Sequence, residues 1–309
     1  MSDWVGGLPP AAHDRVERQR RSGTASSLFS APAAAAARSA GLAPVGEVFG
    51  CLVMHLGWSN NGCGWYGGMG GWGAQRMFGA VSPVHSTARR GSAAGFGPYV
   101  QAFDAGWHGA RDRMLAEAQA LGADGVVDVH VTRSHLGSGA WEFAALGTAV
   151  RAVDPALAPA RDASGAVWSA GLSAEDCAAA ILSGRVPARM VFGMAVATKH
   201  EDYQMKQQRI SWSNQEVDGL TALLQTARHD ARVVISARAA RSGGDLVIKG
   251  MHVREFETPC GQNESDVHVE AAVEGTVLVP GPTRPFRRGE LPSASRVVPI
   301  MSMADLRRF

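Results

Sequence analysis

The chain has 309 residues, 46% of them hydrophobic and 19% charged, with a formal net charge of +2. That length has room for two domains, and the apolar share is enough for real cores. So small a charge does not by itself point to nucleic acid or an acidic membrane as partner.

Residues 1–27 read as a mobile tail, because Pro9, Pro10 and the cluster Arg15, Arg18, Arg20 and Arg21 offer no apolar face. No apolar run of about 7–15 residues follows the basic residues, so no signal peptide is expected. No stretch of about 18 apolar residues exists to span a bilayer. Cys51, Cys63, Cys177 and Cys260 lack CxxC spacing and fit free thiols in a reducing compartment. A cytoplasmic protein is expected.

Order is predicted from Phe29. Ser30 is a helix N-cap, Pro32 sits in the first turn, and an alanine run leads to a stop at Gly41. Val45–Leu56 then reads as a buried strand. The same signals return, ungapped, in the second half. Ser30, Gly41, Pro44 and Val48-Phe49-Gly50 match Ser173, Gly184, Pro187 and Val191-Phe192-Gly193, and Leu172 can staple onto Cys177. Matched caps, stops and triplets in one register predict an internal duplication.

Residues 58–98 form an insertion around GCGWYGGMGGWG. Trp65, Tyr66 and Trp72 make it either a ligand or docking loop or a self-packed one. A long helix follows over residues 101–121, with Phe103, Trp107, Ala110, Met114, Ala118 and Leu121 in one stripe and Gly122 as its stop. In the second half, Ser213 and Glu216 suggest a capping box for a stripe of Val217, Leu220, Leu224 and Ala227. Over residues 125–133, Val127, Val129 and Val131 alternate with Asp128, His130 and Thr132, as in a half-buried strand. Val233-Val234 are predicted to fill that place in the second half. Closing strands at Trp141–Val150 and His268–Val279 share Glu142 and Glu270, then Gly-Thr. The expected organisation is a tail (1–27), a domain (28–152), a linker (153–170), a divergent second domain (171–279) and an extended tail (280–309). Either tail could touch a protein partner.

The junction LGADGVVDVHV, the ending E-x-x-x-x-G-T-A-V and the opening Gly46-Glu47-Val48-Phe49-Gly50 resemble the YbjQ-like family, often labelled heavy-metal-binding. The resemblance covers about residues 41–152 well and 171–279 weakly. It implies an α+β fold of two tandem dodecin-like β-α-β-β domains, each a small antiparallel sheet covered by a long helix, with a short helix before it. It also implies homo-oligomeric rings, typically pentamers. Whole two-domain chains cannot fill a single five-domain ring. Either five chains stack two rings, or the ring number departs from the family.

The family label directs attention to donors for a soft divalent metal (Zn, Cu or Cd): Cys51, His55, Cys63, His130 and His135. Along a strand, Cys51 and His55 lie roughly 13 Å apart, too far to share one ion. Cys63 could fold back to either, and the aligned second-half positions carry Met194, Thr198 and Ala237. A buried thiol, a loop thiol and satisfied or exposed histidines are the plain alternatives. No nucleophile elbow, phosphate loop, zinc-protease helix or dinucleotide fingerprint occurs, so no enzyme is expected. A non-catalytic oligomeric scaffold or binding module is favoured. A metal binder or sensor and a small-molecule carrier at subunit interfaces stay open. Asp128, His130, Glu142 and Glu270 are the candidate interface residues.

Overall fold

The computed structural model describes residues 8–22, 26–56, 82–88, 96–153, 161, 165–259 and 265–281. In chain order these form α1 (Pro10–Ser22), α2 (Ala31–Ser39), β1 (Leu42–His55), β2 (His85–Ser86), α3 (Gly97–Ala120), β3 (Gly125–Gly137) and β4 (Ala140–Ala152). Then come β5 (Trp168–Ser169), α4 (Ala174–Leu182), β6 (Arg185–His200), α5 (Tyr203–Ile210), α6 (Asp218–Ala240), β7 (Asp245–Pro259) and β8 (Ser265–Pro280). The protein is mixed α+β, with one sheet ordered β1-β4-β3-β5 and a second ordered β2-β6-β8-β7.

Local chemistry sets the boundaries. The hydroxyl oxygens of Ser30 and Ser173 accept from the backbone N–H groups of Ala33 and Asp176, capping α2 and α4. Gly41 and Gly184 follow those helices with φ of 74° and 82°, a conformation that glycine adopts without steric cost. Both opening strands are irregular at their proline, between Pro44 and Gly46 and between Pro187 and Arg189. The glycines of the two Val-Phe-Gly triplets do one job. A Cβ on Gly50 would lie 2.3 Å from the Ala110 carbonyl oxygen of α3, and one on Gly193 would lie 2.7 Å from that of Ala231 in α6. Each long helix touches its strand backbone to backbone.

The layers run first sheet, α3, second sheet, α6. Val48, Val126, Val129 and Phe143 of the first sheet share one core with Phe103, Trp107 and Met114 of α3. The same core includes Met190, Phe192, Met194 and Val196 of β6. The alternate β6 residues Val191, Ala195 and Ala197 join Leu223, Ala227, Ala231 and Ile235 of α6 on the opposite face. A third cluster pairs α2 with α4 through Ala33, Ala37, Cys177 and Ile181, with Leu172 in place beside Cys177.

Several expectations need correction. The tail contains α1, whose Ala12 and Val16 are buried and whose polar side chains close the open edge of β1. Gln19 donates to Glu47 O at 2.9 Å, Arg15 donates to Phe49 O at 3.3 Å, and Glu117 of α3 accepts from Phe49 N–H at 2.9 Å. An unpaired strand edge is thereby satisfied by side chains rather than by another strand. The valine alternation in β3 breaks at Asp128, where φ is 56° and the register with β4 shifts between Val127 and His130. Asp tolerates this left-handed bulge better than a branched residue would. Val129 therefore faces α3 while Val127 faces the α2–α4 cluster. Val233-Val234 lie within α6, and β7 is the true counterpart of β3, so His130 corresponds to Gly250 rather than to Ala237. The N-cap of α6 is Val217, without a side-chain cap bond, rather than Ser213. Part of the expected linker is structural: Trp168 and Ser169 pair in parallel with Gly125 and Val126 of β3. Within the insertion, His85 and Ser86 pair with β6, while residues 57–81 and 89–95 lie outside the described residues, as does the tail from 282 onward.

Candidate functional site

The chemistry-bearing residues gather where the first half of the chain meets the second. The sequence of α3 builds this seam by carrying two apolar stripes. Ala110, Met114 and Ala118 face the first sheet, whereas Phe96, Tyr99, Phe103 and Trp107 recur at spacings of three, four and four; Phe96, Tyr99 and Trp107 meet Phe256, Glu270 and Phe192 of the second sheet, and Phe103 packs on Trp141 and Phe143 of β4. A helix apolar on two sides must be buried on two sides. Trp107 stacks on Phe192 with centroids 5.4 Å apart, and its Nε1–H donates to Glu274 at 2.8 Å.

Glu270 sits at the centre of the seam, with a fully buried side chain. It accepts from Tyr99 Oη–H at 2.6 Å and from Arg254 at 3.2 Å, and it pairs with Arg133. Tyr99 comes from α3, Arg133 from β3 and Arg254 from β7, so one carboxylate ties three elements together. Burial and the nearby Glu270 charge hold the Tyr99 hydroxyl well above its ordinary range, so it stays a donor. Burial also raises the Glu274 carboxyl, against the Trp107 hydrogen bond, and lowers the Lys249 ammonium. His268 lies close to the Phe96 and Phe256 rings, hydrogen-bonded to Thr198 and Thr258, and burial pushes it down to about 4.

A cavity of about 640 Å³ opens beside this network, walled by Phe103, Trp107, Trp141 and Phe143 on one side and by β7 on the other. Its volume lies within the range typical of small-molecule pockets. Arg133, Lys249 and Arg254 line it.

The metal candidates do not converge. Cys51 and His55 point to the face of the first sheet away from α3, opposite Ala144 and Ala140 of β4. His130 shares that face across β4, but its ring is engaged by Asp128 at 3.1 Å and by Lys249 at 3.3 Å. The ammonium there opposes a cation. His135 pairs with Trp141 on the other face and packs against its ring. Among the described residues no group of three His, Cys, Asp or Glu side chains could hold a metal ion. The described donors therefore do not fit a metal centre. Cys63, Trp65, Tyr66 and Trp72 lie outside the described residues. Of the interface candidates, Glu270, Asp128 and His130 join the two halves of one chain, while Glu142 is partly buried on the outer face.

Sequence reasoning missed Tyr99, Arg133, Lys249, Arg254 and Glu274. Only the second aromatic stripe of α3 could have signalled them, because the charged residues lie on strands whose pairing is not local.

The fold and seam define a chain of two sheet-and-helix halves joined face to face. No described helix is long and apolar enough to cross a membrane. The YbjQ family model, described as "Putative heavy-metal-binding", matches residues 90–153. Over 263 residues the chain is 30% identical to the encapsulin nanocompartment protein Rv1762c of Mycobacterium tuberculosis, covering 81% of this chain and 89% of that protein. Over 42 residues it is 55% identical to a UPF0145 protein of Halorubrum lacusprofundi, covering 14% of this chain and 40% of that protein. No solved structure matches it significantly. Residues 90–153 thus form a YbjQ-family segment, and the chain belongs to one family with the mycobacterial protein, with which it shares most of its length.

Proposed function

We propose that the chain is a cytoplasmic, non-catalytic scaffold made of two dodecin-like units, the product of a duplication, whose copies assemble head to tail. The observation that carries this reading is one face seen twice. On the second sheet, Phe192, Met194 and Val196 lie opposite Glu274, Ala272 and Glu270 and are covered by α3. On the first sheet, Phe49, Cys51 and Val53 lie opposite Leu146, Ala144 and Glu142 in the same register, and no described helix packs an apolar stripe on them, although Arg15 of α1 reaches over the Phe49 ring. Val53 is 58% exposed.

The helix that would complete the pattern is α6 of a second copy. Its Val217, Leu220 and Leu224 stand where α3 carries its aromatic stripe, and they are only partly buried. A head-to-tail contact of this kind closes into a ring if its rotation allows. Because both halves of a chain are consecutive layers of one stack, such a ring holds an even number of units, which argues against a pentamer and against two separately stacked rings. The mycobacterial relative is named for a nanocompartment, and self-assembly is what such a compartment requires.

Light scattering on the full chain tests the proposal. An oligomer that Val53→Arg reduces to single chains, still folded by circular dichroism, is the expected result. A wild-type mass of one chain at micromolar concentration overturns it.

A further inference from the structure

We infer that the cavity in the seam is a binding site for a flat aromatic anion, such as an aromatic carboxylate. The walls are aromatic: Phe103 and Phe143 meet edge to face at 5.3 Å, and Phe103 meets Trp141 at 5.1 Å. The charge lies over two of these rings, so a planar ligand stacks on the guanidinium planes rather than on those ring faces. Arg133 lies over the Phe103 ring at 5.2 Å and Arg254 over the Trp141 ring at 5.4 Å.

Glu270 does not exhaust these guanidinium groups. Arg133 Nη1 and Arg254 Nε are buried with no hydrogen-bond partner among the described residues, as is Glu270 Oε1 beside them, so the network holds one acceptor for two spare donors. Buried donors without acceptors are costly, and a planar guanidinium matches a carboxylate with two parallel bonds. Lys249, also on the lining, adds a third cation, while Glu274 already accepts from Trp107. Gly250 leaves the space open. It pairs with Glu274 on the cavity side of β7, and a Cβ there would meet nothing within 4 Å. The site lies between two halves of one chain, so it does not depend on assembly.

Calorimetric titration of the full chain with naphthalene-2-carboxylate, naphthalene-2-methanol and acetate tests the assignment. The carboxylate binds once per chain, the neutral alcohol at least tenfold more weakly, and acetate shows no saturable binding. Gly250→Leu fills the space and removes binding while leaving the melting temperature unchanged. Arg254→Gln erases most of the preference for the carboxylate over the alcohol. No binding of the carboxylate by the wild-type chain, or binding undiminished in Gly250→Leu, overturns the inference.

Discussion

The outer face of the first sheet and the inner face of the second carry matching strand pairs and live in different surroundings. Glu142 and Glu270 hold the same register position, opposite Val53 and Val196. Glu270 is fully buried and paired with two arginines, whereas Glu142 is only partly buried. Phe49 packs under the Arg15 guanidinium, at 5.5 Å, where Phe192 stacks on Trp107. The side chain does not decide its own burial. The presence of a helix over the sheet does, and that helix is covalently supplied in one case only.

The comparison breaks most severely where the halves are alike. Gly50→Val and Gly193→Val should each cost about 3 kcal/mol, the upper end for overpacking, because the new side chain meets helix backbone that cannot yield. Denaturant titration checks this, and a mild effect at either site would mean the two helix contacts are not equivalent. Next come the carboxylates. Glu270→Ala strands two guanidinium groups and should cost about 3–5 kcal/mol, whereas Glu142→Ala should stay within about 0.5 kcal/mol in single chains.

Acid sharpens the difference further, because His268 sits on the covered face and its counterpart Ala140 cannot titrate. With a folded value of about 4 against an ordinary 6.5, the unfolded chain binds the proton first. Its contribution is complete above pH 6.5 and is lost as pH falls toward 4, on the order of 3 kcal/mol in all. His268→Gln should flatten stability over that window in denaturation curves recorded at several pH values. The smallest effect on stability is that of Val53→Arg, within about 0.5 kcal/mol for the single chain, although its effect on mass is the largest of all.

Much of this was legible because it is local. Ser30, Gly41, Ser173 and Gly184 act through neighbours within four residues, and the stripe from Phe103 to Leu121 follows helical period. The bulge at Asp128 was hidden because an ideal alternation gives no sign of a slipped register. Helix α1 was hidden because its anchors are mostly polar reaches from Arg15 and Gln19, which hydropathy scores as tail. The seam is a product of pairings between residues more than a hundred positions apart, such as Tyr99 with Glu270, and no periodicity encodes those.

The seating of α3 on the second sheet has a last consequence, for how the protein responds to dilution. Two surfaces joined through one chain meet at an effective concentration on the order of millimolar or higher, whatever the amount of protein in solution. Dilution can therefore dissolve only a contact between chains, such as the one proposed above. A single chain already carries a complete seam, with Glu270 paired and the cavity walled on both sides.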